Sequence, residues 1–278
     1  MRVLIVGSEG FLGGWVKKLL LEDNEHELIE IRGKNDLNIT NIESLNKFFL
    51  KHKPQAVINC AAFVGGIYYG YKFPAKMLYE NSKMALNLYQ VSNENKVTIL
   101  VNPISNCAYP GHLDTYKEDN FYDGPPHDSV YNYGMSKRMC VDLGSSFFKE
   151  YNFSSANIIL SNMYGPEDHF DIERSHALGA LVKKISEAKM NNDDSVEIWG
   201  TGKPIREWLY VQDGAYALLK SLDLKSGHHF FNVGVKKGIS IIDLANIIKD
   251  QVGWEGEFSF NLEKPDGVLE KKVDGTKG

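Results

Sequence analysis

A serine, a tyrosine and a lysine occur at positions where their side chains could together protonate a carbonyl oxygen. Ser105 follows an apolar segment, and Tyr133 and Lys137 stand four residues apart, which on a helix places both side chains on one face. An ammonium group favours ionisation of a neighbouring phenol, so Lys137 is expected to lower the pKa of Tyr133 from about 10. Tyr133 can then give a proton to an oxygen that the Ser105 hydroxyl also holds.

Cys107 suggests a second reaction because it lies two residues after Ser105. Protons on carbons beside a ketone are acidic, since the carbanion spreads onto oxygen as an enolate that Ser105 and Tyr133 can stabilise. A thiol of reference pKa about 8.5 can exchange protons with such carbons near neutral pH. The alternative is that Cys107 is a small buried apolar residue, the default that we assign to Cys60 and Cys140.

A glycine-rich turn links the first apolar segment to a helical pattern. Its spacing is G-x-x-G-x-x-G, and glycine permits both the tight turn and the close approach of a pyrophosphate to a helix N-terminus. At the first strand-to-helix junction of a repeated strand-helix pattern, this motif predicts a dinucleotide site. The predicted cofactor-binding residues of the turn are Gly7, Gly10, Phe11, Leu12 and Gly13.

The end of the second predicted strand should distinguish NADP from NAD. A carboxylate there favours a free ribose hydroxyl, whereas a cation accommodates a 2′-phosphate. Arg32 and Lys34 follow this strand, while Glu30 lies inside it, so the sequence predicts NADP(H), with NAD(H) as the alternative. A solvated basic loop would explain the same two cations, and Glu9 in the glycine turn would repel a phosphate.

Strand and helix patterns alternate along the first half of the chain, which predicts an α/β fold with a Rossmann-type, doubly wound parallel sheet. The pattern changes after Tyr164, so residues 1–164 are interpreted as the dinucleotide-binding domain and 165–278 mainly as a smaller substrate-binding region. Within the latter, a segment at about 207–235 is expected to return to the sheet. Predicted strands lie at 2–6, 28–31, 56–59, 97–101, 156–160, 196–199, 207–211 and 230–232.

Composition narrows the class of protein. The 278 residues carry a net charge of −5, which does not favour binding to nucleic acid or to an anionic membrane. No apolar run approaches the roughly 20 residues of a membrane span. The three cysteines lack the spacing of a metal site or a disulfide framework, so no metal and a cytoplasmic location are expected.

The glycine turn, Ser105 and the Tyr133/Lys137 pair together resemble the extended short-chain dehydrogenase/reductase superfamily, and this resemblance implies that Tyr133 and Lys137 also bind the cofactor. Further segments resemble, more specifically, the GDP-L-fucose synthase family, which epimerises and reduces GDP-4-keto-6-deoxy-mannose. The resemblance runs from the first strand to about Leu222. The segments that carry it are 61–67, 105–110, 161–166, 174–176 and 199–209.

This resemblance assigns residues to the two reactions. It makes Ser105, Tyr133 and Lys137 the reductase triad, and it pairs Cys107 with His176 as the acid and base that invert the carbons flanking the ketone. An imidazole of pKa near 6.5 suits that exchange. A histidine on the surface of a helix is the alternative interpretation of His176.

The resemblance also implies contacts with the cofactor and the nucleotide sugar. Ala61 and Ala62 are added to the cofactor site. Arg206 offers a planar fork that matches a phosphate, although a salt bridge with Glu207 would also explain it. The implied substrate-binding residues are Val64, Gly65, Asn162, Lys184, Trp199, Lys203, Arg206 and Lys271.

The implied function is NADPH-dependent conversion of a 4-keto-6-deoxy nucleotide sugar to the epimerised 4-hydroxy sugar, by a homodimer built on helices 74–93 and 131–151. Residues 168–173 and Asn106 depart from the family pattern, which leaves the sugar open. The alternatives are a related GDP-colitose or GDP-heptose enzyme, an NAD-retaining UDP-sugar 4-epimerase or dehydratase, and a dinucleotide sensor without catalysis.

Overall fold

Strands and helices alternate from the first residues onward in the computed structural model, which describes residues 1–65, 67–168, 177–235, 237–264, 266 and 269–277, with the backbone alone at 67 and 68. The first half contains, in order, β1 (Arg2–Val6), α1 (Phe11–Asp23), β2 (Glu27–Ile31), α2 (Ile42–His52), β3 (Ala56–Asn59), α3 (Ile67–Lys72), α4 (Pro74–Glu94), β4 (Ile99–Ser105), β5 (Thr115–Tyr116), α5 (Tyr131–Tyr151), β6 (Ser154–Leu160) and β7 (Met163–Tyr164). The second half contains α6 (Ala177–Asn191), β8 (Ser195–Trp199), β9 (Ile205–Arg206), β10 (Leu209–Tyr210), α7 (Val211–Lys220), β11 (His228–Val233), β12 (Ile239–Ser240), α8 (Ile241–Val252), β13 (Glu257–Asn261) and β14 (Glu270–Val273).

Six parallel strands form the main sheet, in the order β2-β1-β3-β4-β6-β11. The chain leaves β1 toward one edge to form β2 and then crosses to the other side for β3. In such a sheet the carboxyl ends of β1 and β3 border the crevice in which ligands bind. This topology confirms the predicted α/β fold with a doubly wound parallel sheet.

Both faces of the sheet are covered, as the alternation of side chains along β1 shows. Val3 and Ile5 pack in a core with α1 and α7, while Leu4 and Val6 pack in a second core with α2 and α4. Successive side chains of a strand point to opposite faces, so one short apolar segment supplies both cores. That burial on both faces explains why residues 3–6 of β1 and 56–58 of β3 are uninterrupted apolar runs.

A smaller unit follows β7. Helices α6 and α8 pack around Trp254 and the parallel pair of β8 and β13. A second sheet, in the order β12-β9-β14-β5, joins β9 and β14 to the short strand β5 that follows Ser105 and Cys107. The C-terminal strand β14 therefore links the smaller unit to the loop after β4.

Two predicted strands differ from the structure. Residues 207–211 were expected to form one strand, but β10 spans only two residues and α7 already begins at Val211. The strand predicted at 97–101 begins at Ile99, because the Val97 N–H bonds to Ser92 O and closes the turn after α4. Among the described residues, no helix is long and apolar enough to cross a membrane.

Candidate active site

The glycine turn after β1 forms a cradle that only glycine fits. Gly7 adopts φ +84°, and a Cβ there would lie 2.9 Å from Ala61 N. A Cβ on Gly13 would lie 2.0 Å from Gly7 O. Gly10 precedes α1 and has no side chain to cap it, so the first N–H groups of the helix can meet an anion. The turn fits the pyrophosphate of a dinucleotide.

The region beyond β2 carries the cations expected for a 2′-phosphate. Arg32 and Lys34 have more than half of their side-chain surface exposed. Asp36 Oδ2 accepts a hydrogen bond from Arg32 N at 3.0 Å and lies 4.0 Å from its Nε, while Lys34 Nζ is 3.9 Å from Glu80 Oε2. Both cations are free to turn toward an incoming phosphate, because such exposed pairs hold them weakly.

The Glu30 carboxylate is bonded to the glycine turn and to α1. Its carboxylate accepts hydrogen bonds from Lys17 Nζ at 2.8 Å and from Ser8 Oγ at 2.9 Å. The Lys17 bond is the main cause that holds the pKa of Glu30 below its ordinary value, although partial burial opposes it. Glu30 therefore fixes the base of the glycine turn.

Ser105 and Cys107 occupy the carboxyl end of β4 and the short 3₁₀ turn that follows it. Ser105 Oγ accepts a hydrogen bond from Cys107 N at 3.2 Å. Because that bond uses a lone pair, the hydroxyl hydrogen of Ser105 stays available to a substrate oxygen. Cys107 itself is half-buried.

Helix α5 brings Tyr133 and Lys137 against this turn. A Cβ on Gly134 would lie 2.5 Å from Cys107 O, so the close approach of the helix requires glycine. Arg138 Nε donates to Ala108 O at 2.7 Å and holds the next helical turn in place. Ser105, Cys107, Tyr133 and Lys137 therefore meet at one junction.

Lys137 is fixed between β4 and the Tyr133 ring. It is 6% exposed, its Nζ donates to Pro103 O at 3.1 Å, and Nζ lies 5.6 Å from the centre of the Tyr133 ring. Pro103 is tolerated in β4 because the pairing of this strand with β3 ends at Val101. The ammonium group keeps N–H donors for a further acceptor.

Burial reverses the expected shift of the Tyr133 pKa. Burial raises that pKa, Lys137 lowers it, and the net direction is upward from the ordinary value. The sequence-based expectation of a lowered pKa is therefore wrong, because desolvation of the phenolate outweighs the ammonium group in this structure. Tyr133 keeps its proton at neutral pH, as a proton donor requires.

The substrate residues predicted from β9 and β14 lie next to the same junction. Arg206 and Lys271 are partners in the β9–β14 register. Burial lowers the pKa of Arg206, and the charges of Tyr116, Asp266 and Cys107 oppose that shift, so Arg206 lies within electrostatic reach of the thiol. His176 falls within 169–176, outside the described residues.

The other predicted substrate residues lie on several elements, and one of them contacts Trp199. Lys184 Nζ lies 5.2 Å from the Trp199 ring centre. Lys203 is exposed after the turn at Thr201, and Asn162 O accepts from Leu209 N at 2.8 Å, beside β10. The segment after β3 contains the predicted positions Ala61, Ala62, Val64 and Gly65. The Asn81 side chain holds this segment, because it accepts a hydrogen bond from Phe63 N and donates one to Phe63 O.

Several residues that shape the site were missed by the sequence prediction. Asp266 accepts from Thr201 N at 2.6 Å and from Thr201 Oγ1 at 2.7 Å, which fixes the turn after Trp199. A Pro-Asp-Gly signal marked its position but not its partner. Gly134 was visible only as a glycine within a helical pattern. Tyr116 and Lys264 carried no local signal.

Glu207 turns away from Arg206, contrary to the salt-bridge alternative. It is 2% exposed, and its Oε2 accepts from Val273 N at 3.0 Å, while Arg206 Nη1 donates to Ile205 O at 2.8 Å. Burial raises the pKa of Glu207 to about 6. The Glu207 carboxyl group holds β14 in place through its bond to Val273 N, although burial disfavours its ionised form.

This burial predicts a pH-dependent effect of Glu207→Gln. The folded pKa of about 6 exceeds the ordinary 4.5, so the contribution to stability is present below 4.5 and is lost as pH rises through 6. At neutral pH the ionised group costs about 2 kcal/mol, from roughly 1.4 kcal/mol per pKa unit. Denaturant unfolding should show Glu207→Gln to be more stable by about that amount at neutral pH and by little near pH 4. A gain independent of pH, or an equal gain in the exposed control Glu255→Gln, would contradict this explanation.

The fold and this junction define the class of protein: a dinucleotide-binding α/β protein in which a serine at the end of β4 meets a tyrosine and a lysine of α5. Residues 3–234 match the NAD dependent epimerase/dehydratase family. The chain is 34% identical over 271 residues to the GDP-L-fucose synthase of Sinorhizobium fredii, covering 97% of this chain and 86% of that protein.

Two solved structures share the whole fold. The GDP-L-fucose synthetase from Naegleria fowleri bound to NADP superposes with a TM-score of 0.90 at 25% identity, covering 99% of this chain and 86% of that one. The GDP-D-glycero-L-gluco-heptose synthase from Campylobacter jejuni in the presence of NADPH superposes with a TM-score of 0.89 at 25% identity, covering 99% and 91%. The chain belongs to the NAD dependent epimerase/dehydratase family, in the group that contains the GDP-L-fucose synthases.

Proposed function

We propose that this protein is an NADPH-dependent epimerase/reductase of a 4-keto-6-deoxy nucleotide sugar, of the GDP-4-keto-6-deoxy-mannose type, with a product of the GDP-L-fucose type. The observation that carries the proposal is the meeting of a thiol with the Ser105, Tyr133 and Lys137 set at one junction of β4 and α5. Relatives named GDP-L-fucose synthase support this substrate class.

The residues divide between the two reactions by their chemistry. Ser105 and Tyr133 hold the ketone oxygen, and Cys107 with His176 moves protons at the flanking carbons. Bound NADPH supplies the hydride for the ketone carbon. Lys137 holds the cofactor ribose and the Tyr133 ring, while Arg206 and Lys271 bind the diphosphate.

A panel of 4-keto nucleotide sugars tests the proposed function. In deuterated water with NADPH, the GDP-4-keto-6-deoxy sugar should oxidise NADPH and gain deuterium beside the carbonyl. Faster turnover of a GDP-colitose or GDP-heptose precursor would move the assignment to those related enzymes. Turnover of a UDP-sugar with tightly retained NAD and no net oxidation would defeat the reductase assignment.

NADP preference is proposed from Arg32 and Lys34, supported by the NADP-bound relative. Arg32→Ser should weaken NADPH binding by about ten- to a hundred-fold, since a charge-assisted hydrogen bond contributes roughly 1.5–3 kcal/mol, and should leave NADH binding unchanged. Titration of intrinsic fluorescence with both cofactors measures this. Lys51→Ser, an exposed cation elsewhere, is the control, and equal affinities of the wild-type protein for both cofactors would contradict the preference.

Three further properties are proposed with the function. The enzyme is a homodimer through α4 and α5, since Leu78, Tyr79 and Leu86 on α4 are exposed. Sedimentation measures its mass.

The enzyme works in the cytoplasm, where its three free cysteines stay reduced. Residues 1–164 form the dinucleotide-binding domain, to which 207–235 return, and the rest of 165–278 binds substrate.

A further inference from the structure

The outer face of β8 carries a carboxylate held in a fixed orientation beside Trp199. Glu197 and Trp199 alternate with buried Val196 and Ile198, so both side chains point away from the core of the smaller unit. Glu197 Oε1 accepts from Trp199 Nε1 at 3.0 Å, and Oε2 accepts from Asn261 Nδ2 at 3.1 Å. Each oxygen is oriented by a neutral donor and retains a free lone pair.

Cations surround this pair without neutralising the carboxylate. Lys184 Nζ donates to the backbone oxygen of Glu197 at 3.0 Å, and Lys184 and Lys264 lie 5.2 and 5.3 Å from the Trp199 ring centre. Among the described residues, no cation forms a salt bridge with the Glu197 carboxylate. It remains available to hydrogen-bond donors of a ligand.

The pair is connected to the predicted diphosphate site. Asp266 binds Thr201, two residues after Trp199, and this bonding lowers its pKa, with further lowering by the charges of Lys203 and Arg206. The turn after Trp199 therefore lies within electrostatic reach of Arg206. A nucleotide whose phosphates bind Arg206 can place its base against the Trp199 ring and Glu197.

We infer that Glu197 determines base specificity by accepting two hydrogen bonds from the Watson–Crick edge of guanine. The inference rests on the proposed nucleotide-sugar substrate. Guanine presents N1–H and its 2-amino group side by side, which matches the two oxygens of a carboxylate. Uracil flanks its single N–H with two carbonyl oxygens, which a carboxylate repels. Trp199 and Asn261 orient Glu197 and are positioning residues for this contact.

Binding of free nucleotides to Glu197→Gln tests this contact without turnover. Calorimetry with GDP, IDP and UDP should show wild-type affinity falling in that order, since inosine lacks the 2-amino group. Glu197→Gln should bind GDP about ten- to a hundred-fold more weakly, because its amide NH₂ faces a guanine donor. It should bind UDP at least as tightly as the wild type does, because the carboxylate that repels the uracil oxygens is gone. Glu257→Gln, the same charge change on the neighbouring strand β13, should leave all three affinities unchanged.

Other results would overturn the inference. GDP affinity that survives Glu197→Gln, or an equal loss for all three diphosphates, would show that Glu197 does not read the base. Selective GDP binding retained by Glu197→Gln would defeat this inference alone and leave the proposed function standing. If the wild-type protein bound none of the three, the proposed function would fail with it.

Discussion

Tyr133→Phe is expected to slow reduction of the ketone by about 10²–10⁴-fold, the range for removal of a positioned proton donor. The raised pKa of Tyr133 keeps the phenol protonated at neutral pH, and Lys137 lies 5.6 Å from its ring centre, so the substitution removes the donor and little else. NADPH oxidation with the 4-keto nucleotide sugar measures the loss, and cofactor titration should show NADPH binding almost unchanged.

Tyr131→Phe is the matched control for this prediction. Tyr131 begins the same helix and is 40% exposed, so loss of its hydroxyl should leave turnover at the wild-type level. If Tyr133→Phe retained wild-type reduction, another group would have to protonate the ketone oxygen. The reductase assignment of the junction would then be wrong.

Cys107→Ser is expected to slow proton exchange beside the ketone by about 10²–10⁴-fold, because a serine hydroxyl does not ionise near neutral pH as a thiol does. The backbone N–H of Cys107 donates to Ser105 Oγ, and a serine at position 107 keeps that N–H, so the turn should be preserved. Nuclear magnetic resonance in deuterated water, with no reductant present, measures deuterium incorporation. Reduction of a ketone that needs no epimerisation should continue.

Cys60→Ser serves as the control for thiol loss. Burial raises the pKa of Cys60 to about 12, so this thiol stays protonated at neutral pH. Exchange should therefore survive Cys60→Ser and fail in Cys107→Ser. If Cys107→Ser also retained exchange while Tyr133→Phe abolished reduction, the protein would be a reductase without epimerase activity.

The main sheet and its glycine turn were predictable because their signals are local. Continuous apolar strands, a glycine triplet after the first of them, and a Tyr and Lys one helical turn apart each depend on neighbours close in sequence. Strand boundaries at 207–211 were predicted less well, since Glu207 is drawn toward Val273, 66 residues away. No local pattern specifies such a partner.

The sequence alone determined the residue types that can hold a dinucleotide and exchange protons, because turn chemistry and helical spacing place them within short segments. Only the tertiary structure decided how those groups behave. The pKa of Tyr133 is raised because folding removes water from its phenolate, and this effect on the pKa is larger than the opposite effect of the Lys137 charge. Glu197 meets Asn261 only where β8 pairs with β13, and Asp266 reaches Thr201 across 65 residues. Desolvation and long-range contacts arise when distant segments pack together, so they are properties of the folded chain.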